Sequence, residues 1–176
     1  ICQALASHGA DMLFTHWQAY DQAHGNGAEV DGPAMLEREL IALGVRASGL
    51  EIDLAQPEAY LAVLDTAVSR LGTPAILVNN AAHSTHDGYE RLDAGTLDAH
   101  YAVNLRTMAL LSAEFARRYP GGEGGRIINL SSGQSVGAMP TELAYAATKG
   151  AVEAFTRSLA AGVATKGITV NAIDPG

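Results

Sequence analysis

Short apolar, β-branched runs alternate along this chain with longer stretches in which apolar positions recur every three or four residues. The runs DMLFTHW (11–17), ASGLEIDL (47–54), AILVNNA (75–81), RIINLS (126–131) and GITVNAI (167–173) predict strands. Helices are predicted over 32–44, with Pro33 near the start and Gly44 as the stop, and over about 57–71, 96–119 and 142–165. The opening ICQALASHG reads as the latter part of a helix that stops at Gly9. AILVNNA is apolar without alternation, the pattern of a strand covered on both faces. Strand and helix in alternation imply right-handed crossovers and a parallel sheet with helices on both faces, an α/β fold in three layers. The long polar connection 18–31 is expected to be a surface loop.

Composition acts mainly by exclusion. A chain of 176 residues suits one domain with a real core, and 48% apolar with 17% charged residues is a folded rather than a disordered balance. No run reaches ~18 uninterrupted apolar residues, so no membrane span is expected. Cys2 is the only cysteine, which excludes an internal disulfide and fits a reducing compartment; cytoplasm is the expected location. A net charge of −8 without a Lys/Arg cluster argues against nucleic acid as a partner. Among six histidines, HSTH (83–86) is the tightest pair, but no Cys, Asp or Glu cluster completes a tetrahedral set, so no metal is expected. That segment reads as a solvated loop, with substrate contact as the alternative.

In parallel sheets of this kind, ligands bind at the carboxyl ends of the strands. Those ends carry Thr15-His16, Asp53-Leu54, Asn79-Asn80-Ala81-Ala82, Ser131-Ser132 and Asp174-Pro175-Gly176. Polar turn residues belong at strand ends in any case, so no single one is telling. YAATK (145–149) adds Tyr145 and Lys149 at i and i+4, which share one helix face. A phenol with a pKa of about 10 exchanges protons poorly near neutrality. A nearby ammonium favours the phenolate, which suits tyrosine for acid–base work. Ser132 ends the preceding strand, within reach of an oxygen that Tyr145 also touches. By spacing alone the Tyr–Lys pair is ordinary surface decoration. LSSGQ lacks the G-x-S-x-G pattern, so a nucleophilic serine is not expected.

The run GRIINLSSGQSVGAMPTELAYAATKGAVEAFTRSLA, with LVNNAA before it and GITVNAIDPG after it, resembles the short-chain dehydrogenase/reductase family. Within the family it is most similar to the β-ketoacyl-carrier-protein reductases and related secondary-alcohol dehydrogenases. The motifs are ordered, correctly spaced and spread over essentially the whole chain. The resemblance implies one NAD(P)-binding domain over residues 1–176 on a Rossmann-type doubly wound parallel sheet. It implies NAD(P)(H)-dependent interconversion of a ketone and a secondary alcohol, as in 3-oxoacyl-carrier-protein reductase. Secondary-alcohol, sugar or steroid dehydrogenation is the alternative within the family, and a non-catalytic dinucleotide-binding protein the alternative outside it.

Residue by residue, the resemblance gives Ser132 the polarising of the substrate oxygen and Tyr145 the proton transfer. Lys149 tunes the tyrosine and holds the nicotinamide ribose, and the backbone of Asn104 helps hold a water of the proton relay. Asn80 and Ala81 pack beside the adenosine ribose, Asp53 with Leu54 lies near the adenine ring, and Pro175 and Gly176 touch the nicotinamide. Family members commonly form dimers or tetramers, and the Ala-rich faces of the helices from 96 and 142 fit that habit.

The departures are informative. The family's Gly-rich loop after its first strand is absent, as is the substrate-capping segment after Gly176, so an N-terminal extension of roughly fifteen to twenty residues is expected from the family pattern. Ala82 stands where the asparagine motif usually has glycine. His16 and Trp17 occupy the end of the second family strand, where NAD users place an acid; its absence tilts the expectation to NADP over NAD, although Asp21 lies near enough to reach back.

Overall fold

Every strand pairing in the structure, a computed structural model that describes residues 1–24 and 31–175, is parallel. The chain divides into two units, residues 1–53 with 62–73, and residues 54–61 with 74–176.

The first unit contains α1 (Cys2–Ala6), β1 (Met12–His16), α2 (Gln18–His24), α3 (Gly32–Ala42), β2 (Ala47–Glu51) and most of α4 (Ala59–Leu71). β1 and β2 run in register from Met12 against Ala47 to His16 against Glu51. Ala6, Leu40 and Val45 form a buried cluster, with Met12, Phe14 and Leu36 packed on it. Proline sits in the first turn of α3, where its missing N–H leaves no gap in the ladder, and Gly44 follows the last turn at φ 90°. Asp11 takes hydrogen bonds from the Arg46 backbone N (2.7 Å) and Nε (2.8 Å), tying the entries of the two strands together.

The expected loop 18–31 is corrected over its first part, since Gln18–His24 is helical; residues 25–30 lie outside the described residues. Tyr20 stacks on Trp17 (centroids 6.4 Å apart) and on His24 (4.0 Å). Such i,i+3 and i,i+4 ring pairs support a helical turn that polarity alone argues against.

The second unit contains β3 (Ile76–Asn79), α5 (Gly88–Arg91), α6 (Ala94–His100), α7 (Met108–Arg118), β4 (Gly125–Leu130), α8 (Leu143–Val163) and β5 (Ile168–Ile173), with strand order β3-β4-β5. Its core includes Ile127, Val152, Phe115, Ile168 and Ala144, all nearly inaccessible. Ser131 N donates to Ile173 O (2.8 Å), which brings the ends of β4 and β5 together.

Three expectations change here. The strands form two parallel sheets, β1-β2 and β3-β4-β5, not one continuous sheet. The resemblance expects a central strand bearing the Gly-rich loop, and no such strand is among the described residues. The second change concerns β3, which was expected to be covered on both faces, yet Ile76 is 45% exposed. β3 pairs only with β4 among the described residues, so it has half the cover of a central strand. Finally, the helix expected over 96–119 starts at Ala94 and is interrupted by a π-helical stretch, Tyr101–Thr107. The wider turn lets Asn104, Arg106 and Thr107 each reach a separate outside partner.

Candidate active site

β4 ends by presenting three residues in a row to the site. Leu130 offers its carbonyl oxygen to Lys149 Nζ at 2.6 Å. Ser131 is buried, and its hydroxyl donates to Glu153 Oε1 at 2.7 Å. Ser132 follows in extended backbone, half-buried, and its hydroxyl has no hydrogen-bond partner among the described residues.

α8 supplies the phenol and the amine. Tyr145 is half-buried in its first turn, and Lys149 lies one turn on, 4% exposed, with Nζ 5.4 Å from the centre of the Tyr145 ring. Burial lowers the Lys149 pKa from its ordinary value, because a desolvated ammonium is penalised. The pair meets as the i,i+4 spacing predicts, and the Leu130 contact brings Lys149 to within two residues of Ser132 along β4.

Asn104, 3% exposed, is held by its carboxamide on both sides. Oδ1 accepts from His83 N (2.7 Å), while Nδ2 donates to His83 O (2.9 Å) and to Thr148 Oγ1 (3.0 Å). Thr148 in turn donates to Tyr145 O at 2.9 Å, so Asn104 is linked through one residue to the Tyr145 backbone. Sequence reasoning missed Thr148, which looked like one more small residue in YAATK. It also missed the service of His83, which acts through backbone atoms that any residue carries. The HSTH pair divides accordingly: His83 packs edge-on against the buried His100 (4.6 Å), whereas His86 stands 77% exposed beside Glu142. Among the described residues no cluster suits a metal ion, and no helix is long and apolar enough to cross a membrane.

The remaining residues named from the resemblance fall as follows. Asn80 and Ala81 are exposed directly beyond β3. Thr107 Oγ1 donates to Leu54 O (2.6 Å) and Arg106 to Ala55 O, which fixes the Leu54 backbone. Asp53 is half-buried at the close of β2's unit, and Pro175 is exposed after β5. Gly176 lies outside the described residues. Beneath the strand ends runs a buried ladder: Asn79 Nδ2 donates to Ser112 Oγ (3.0 Å) and Asn129 Oδ1 (2.8 Å), and Asn129 Nδ2 to Thr156 Oγ1 (2.8 Å). A cavity of about 520 Å³ opens between α8 and β5, with Ser131 and Glu153 but not Tyr145 on its wall.

The sequence pattern of the family described as short chain dehydrogenase matches all of residues 1–176. The chain belongs to the short-chain dehydrogenase/reductase family. It is 48% identical, over its whole length, to the uncharacterized oxidoreductase YjdA of Bacillus subtilis, covering 67% of that protein. It is 35% identical to the 3-oxoacyl-[acyl-carrier-protein] reductase FabG of Pseudomonas aeruginosa, over 86% of this chain and 62% of that one. The chain thus spans about two thirds of the length of these relatives. The crystal structure of FolM alternative dihydrofolate reductase 1 from Brucella suis in complex with NADP matches with a TM-score of 0.84 at 28% identity, covering 99% of this chain and 68% of that one. The short-chain dehydrogenase/reductase fold, parallel sheets with helices on both sides, is the fold of this chain, and its class is NAD(P)-dependent oxidoreductase. The donor set fits such a cofactor: a buried amine, a phenol one turn away and polar strand ends are the groups that hydrogen-bond a ribose diol and a carboxamide.

Proposed function

We propose that this short-chain dehydrogenase/reductase interconverts a ketone and a secondary alcohol, with chemistry like that of a 3-oxoacyl-carrier-protein reductase. The observation that carries the reading is the meeting of Tyr145 and Lys149 on α8 with Lys149 Nζ on the Leu130 carbonyl, two residues before Ser132, whose hydroxyl has no partner among the described residues. The bound nicotinamide supplies or accepts the hydride. In the reducing direction, Ser132 and Tyr145 donate hydrogen bonds to the carbonyl oxygen, the carbon gains the hydride, and the oxygen gains the phenolic proton. In the reverse direction Tyr145 is the base and the alcohol loses both. Lys149, with Nζ 5.4 Å from the centre of the Tyr145 ring, supplies the positive charge that faces the reacting side chain. Asn104 orders the same corner through Thr148.

Tyr145, Lys149, Asn80, Ala81, Asp53, Leu54, Pro175 and Gly176 would hold the cofactor. NADP is proposed over NAD because no acid stands at His16-Trp17. The NADP complex of the Brucella suis protein supports that preference by similarity alone. A homodimer or homotetramer in the cytoplasm completes the proposal, resting on the Ala-rich helices and the single cysteine.

The decisive experiment is Tyr145→Phe, assayed by nicotinamide absorbance on a ketone panel that includes a β-keto ester, with NADPH and NADH in parallel. Turnover is expected to fall ~1,000-fold, within the range for a lost general acid. NADPH binding, followed by fluorescence, should change little. A Tyr145→Phe protein with the wild-type rate would end the reading.

A further inference from the structure

Helix α8 carries both Tyr145 and Lys149, yet its own N-cap residue, Glu142, makes no side-chain bond to the first turn. The amides left over there are taken by a residue 56 positions upstream in sequence. Asp87 lies in the loop after β3 and is 3% exposed. Its Oδ1 accepts from Leu143 N (2.8 Å) and Gly88 N (3.0 Å), and its Oδ2 accepts from Ala144 N (2.8 Å). The Asp87 N–H donates in turn to Thr141 O at 3.0 Å, closing the loop onto the chain that enters the helix. Ala144 immediately precedes Tyr145.

The same short loop therefore grips two elements of the site. Part-way along it, the His83 backbone brackets the Asn104 carboxamide; at its last residue, Asp87 binds the start of α8. We propose that Asp87 is a positioning residue for the reaction, an anionic cap delivered from the β3 loop that fixes where α8 begins and so where the Tyr145 phenol stands. This inference rests on the reading of Tyr145 as the proton-transfer group.

The chemistry of the side chain matters. A carboxylate offers two acceptor oxygens and a negative charge to the positive end of the helix dipole. Asparagine offers one oxygen and turns an N–H donor toward another donor. Burial by itself raises the Asp87 pKa, but the amides of Ala144, Gly88 and Leu143 outweigh it and hold the carboxyl below its ordinary value. Asp87 is thus charged across the neutral range. A cap that only stabilised the fold would leave turnover intact in any variant that folds.

The test compares wild type, Asp87→Asn, Asp87→Ala, Tyr145→Phe and, as a stability control, Asp11→Asn, which removes a surface carboxylate bonded to Arg46. Two quantities are read: amide hydrogen exchange in residues 143–149, and kcat and KM for ethyl acetoacetate with NADPH. In wild type the Leu143 and Ala144 amides should be protected, unlike ordinary first-turn amides. Both Asp87 variants should lose that protection, with kcat lowered about tenfold in Asp87→Asn and further in Asp87→Ala. KM should move less than about threefold, and Asp11→Asn should keep the wild-type kcat. If Asp87→Ala does not fold, Asp87→Asn and wild-type exchange decide the matter. Unprotected Leu143 and Ala144 amides in wild type overturn the inference, as does an Asp87→Asn protein with wild-type exchange and kcat. An inactive Tyr145→Phe beside an unaffected Asp87→Asn removes the positioning role alone; a fully active Tyr145→Phe removes the functional reading beneath it.

Discussion

Ser131 and Ser132 are neighbours in sequence and opposites in surroundings. The Ser131 hydroxyl is committed to Glu153, which also accepts from Gln134 Nε2 at 2.9 Å, while the Ser132 hydroxyl has no partner among the described residues. Opposite outcomes follow on truncation. Ser132→Ala should lower kcat ~100-fold, the scale of one donor lost from a developing oxyanion, and leave the melting midpoint unchanged. Ser131→Ala strands part of the Glu153 carboxylate and should lower the midpoint by a few degrees, with kcat within about threefold of wild type. Paired thermal melts and rates on the two variants check this. Spacing alone does not choose between two serines in LSSGQ; the family resemblance chooses Ser132, and the hydrogen bonds supply a physical reason for that choice.

Among the elements, the interrupted helix 94–118 and the C-terminal end of α8 show most clearly what periodicity conveys. Apolar residues recur across 96–119 in helical fashion, so a helix is legible, but its π-helical stretch is not. Within that stretch Asn104, Arg106 and Thr107 bond to partners 21 to 53 residues away, which periodicity does not encode. At the other end of α8, the turn into β5 requires Gly167, which has φ 74° and no room for a side chain, since a Cβ there would run into the Gly122 carbonyl oxygen. Gly167→Ala should therefore cost about 2 kcal/mol, the scale of left-handed strain plus a forced shift. In urea titration the midpoint should fall with an unchanged slope.

At the scale of the whole molecule, acid stability is set by carboxylates that the fold holds below their ordinary pKa. Asp11 is held by the Arg46 amide and guanidinium, Asp93 by the Thr96 amide, Glu114 by Arg118 and Arg117, and Glu153 by Ser131 against burial. Asp87 is held by its amides despite burial. A carboxyl with a folded pKa below its unfolded one contributes stability in full above the unfolded value, about 4, and loses it as pH falls through the lowered value. The exposed members are screened by solvent, so Asp87 should carry the largest share. The melting midpoint should be level from pH 7 to about 5 and then fall, and the fall should be shallower in Asp87→Asn. Lys149 acts with the opposite sign. Its burial lowers its pKa, so its penalty is present at neutrality and is relieved as pH rises toward the ordinary lysine value.

Sequence by itself determined the alternation of strands and helices, the parallel α/β class and the Tyr145–Lys149 face, because each follows from spacing along one element. The ordered motifs carried the family. Tertiary structure decided what depends on residues far apart in the chain: the division of the strands into two sheets, the exposure of Ile76, the helix within 18–31, the different surroundings of Ser131 and Ser132, and the clasp of Asp87 on α8. An Asp in a polar loop has no periodicity to betray it. Its partners are backbone amides 56 and 57 positions away, which every residue but proline carries, so only folding reveals which ones it meets.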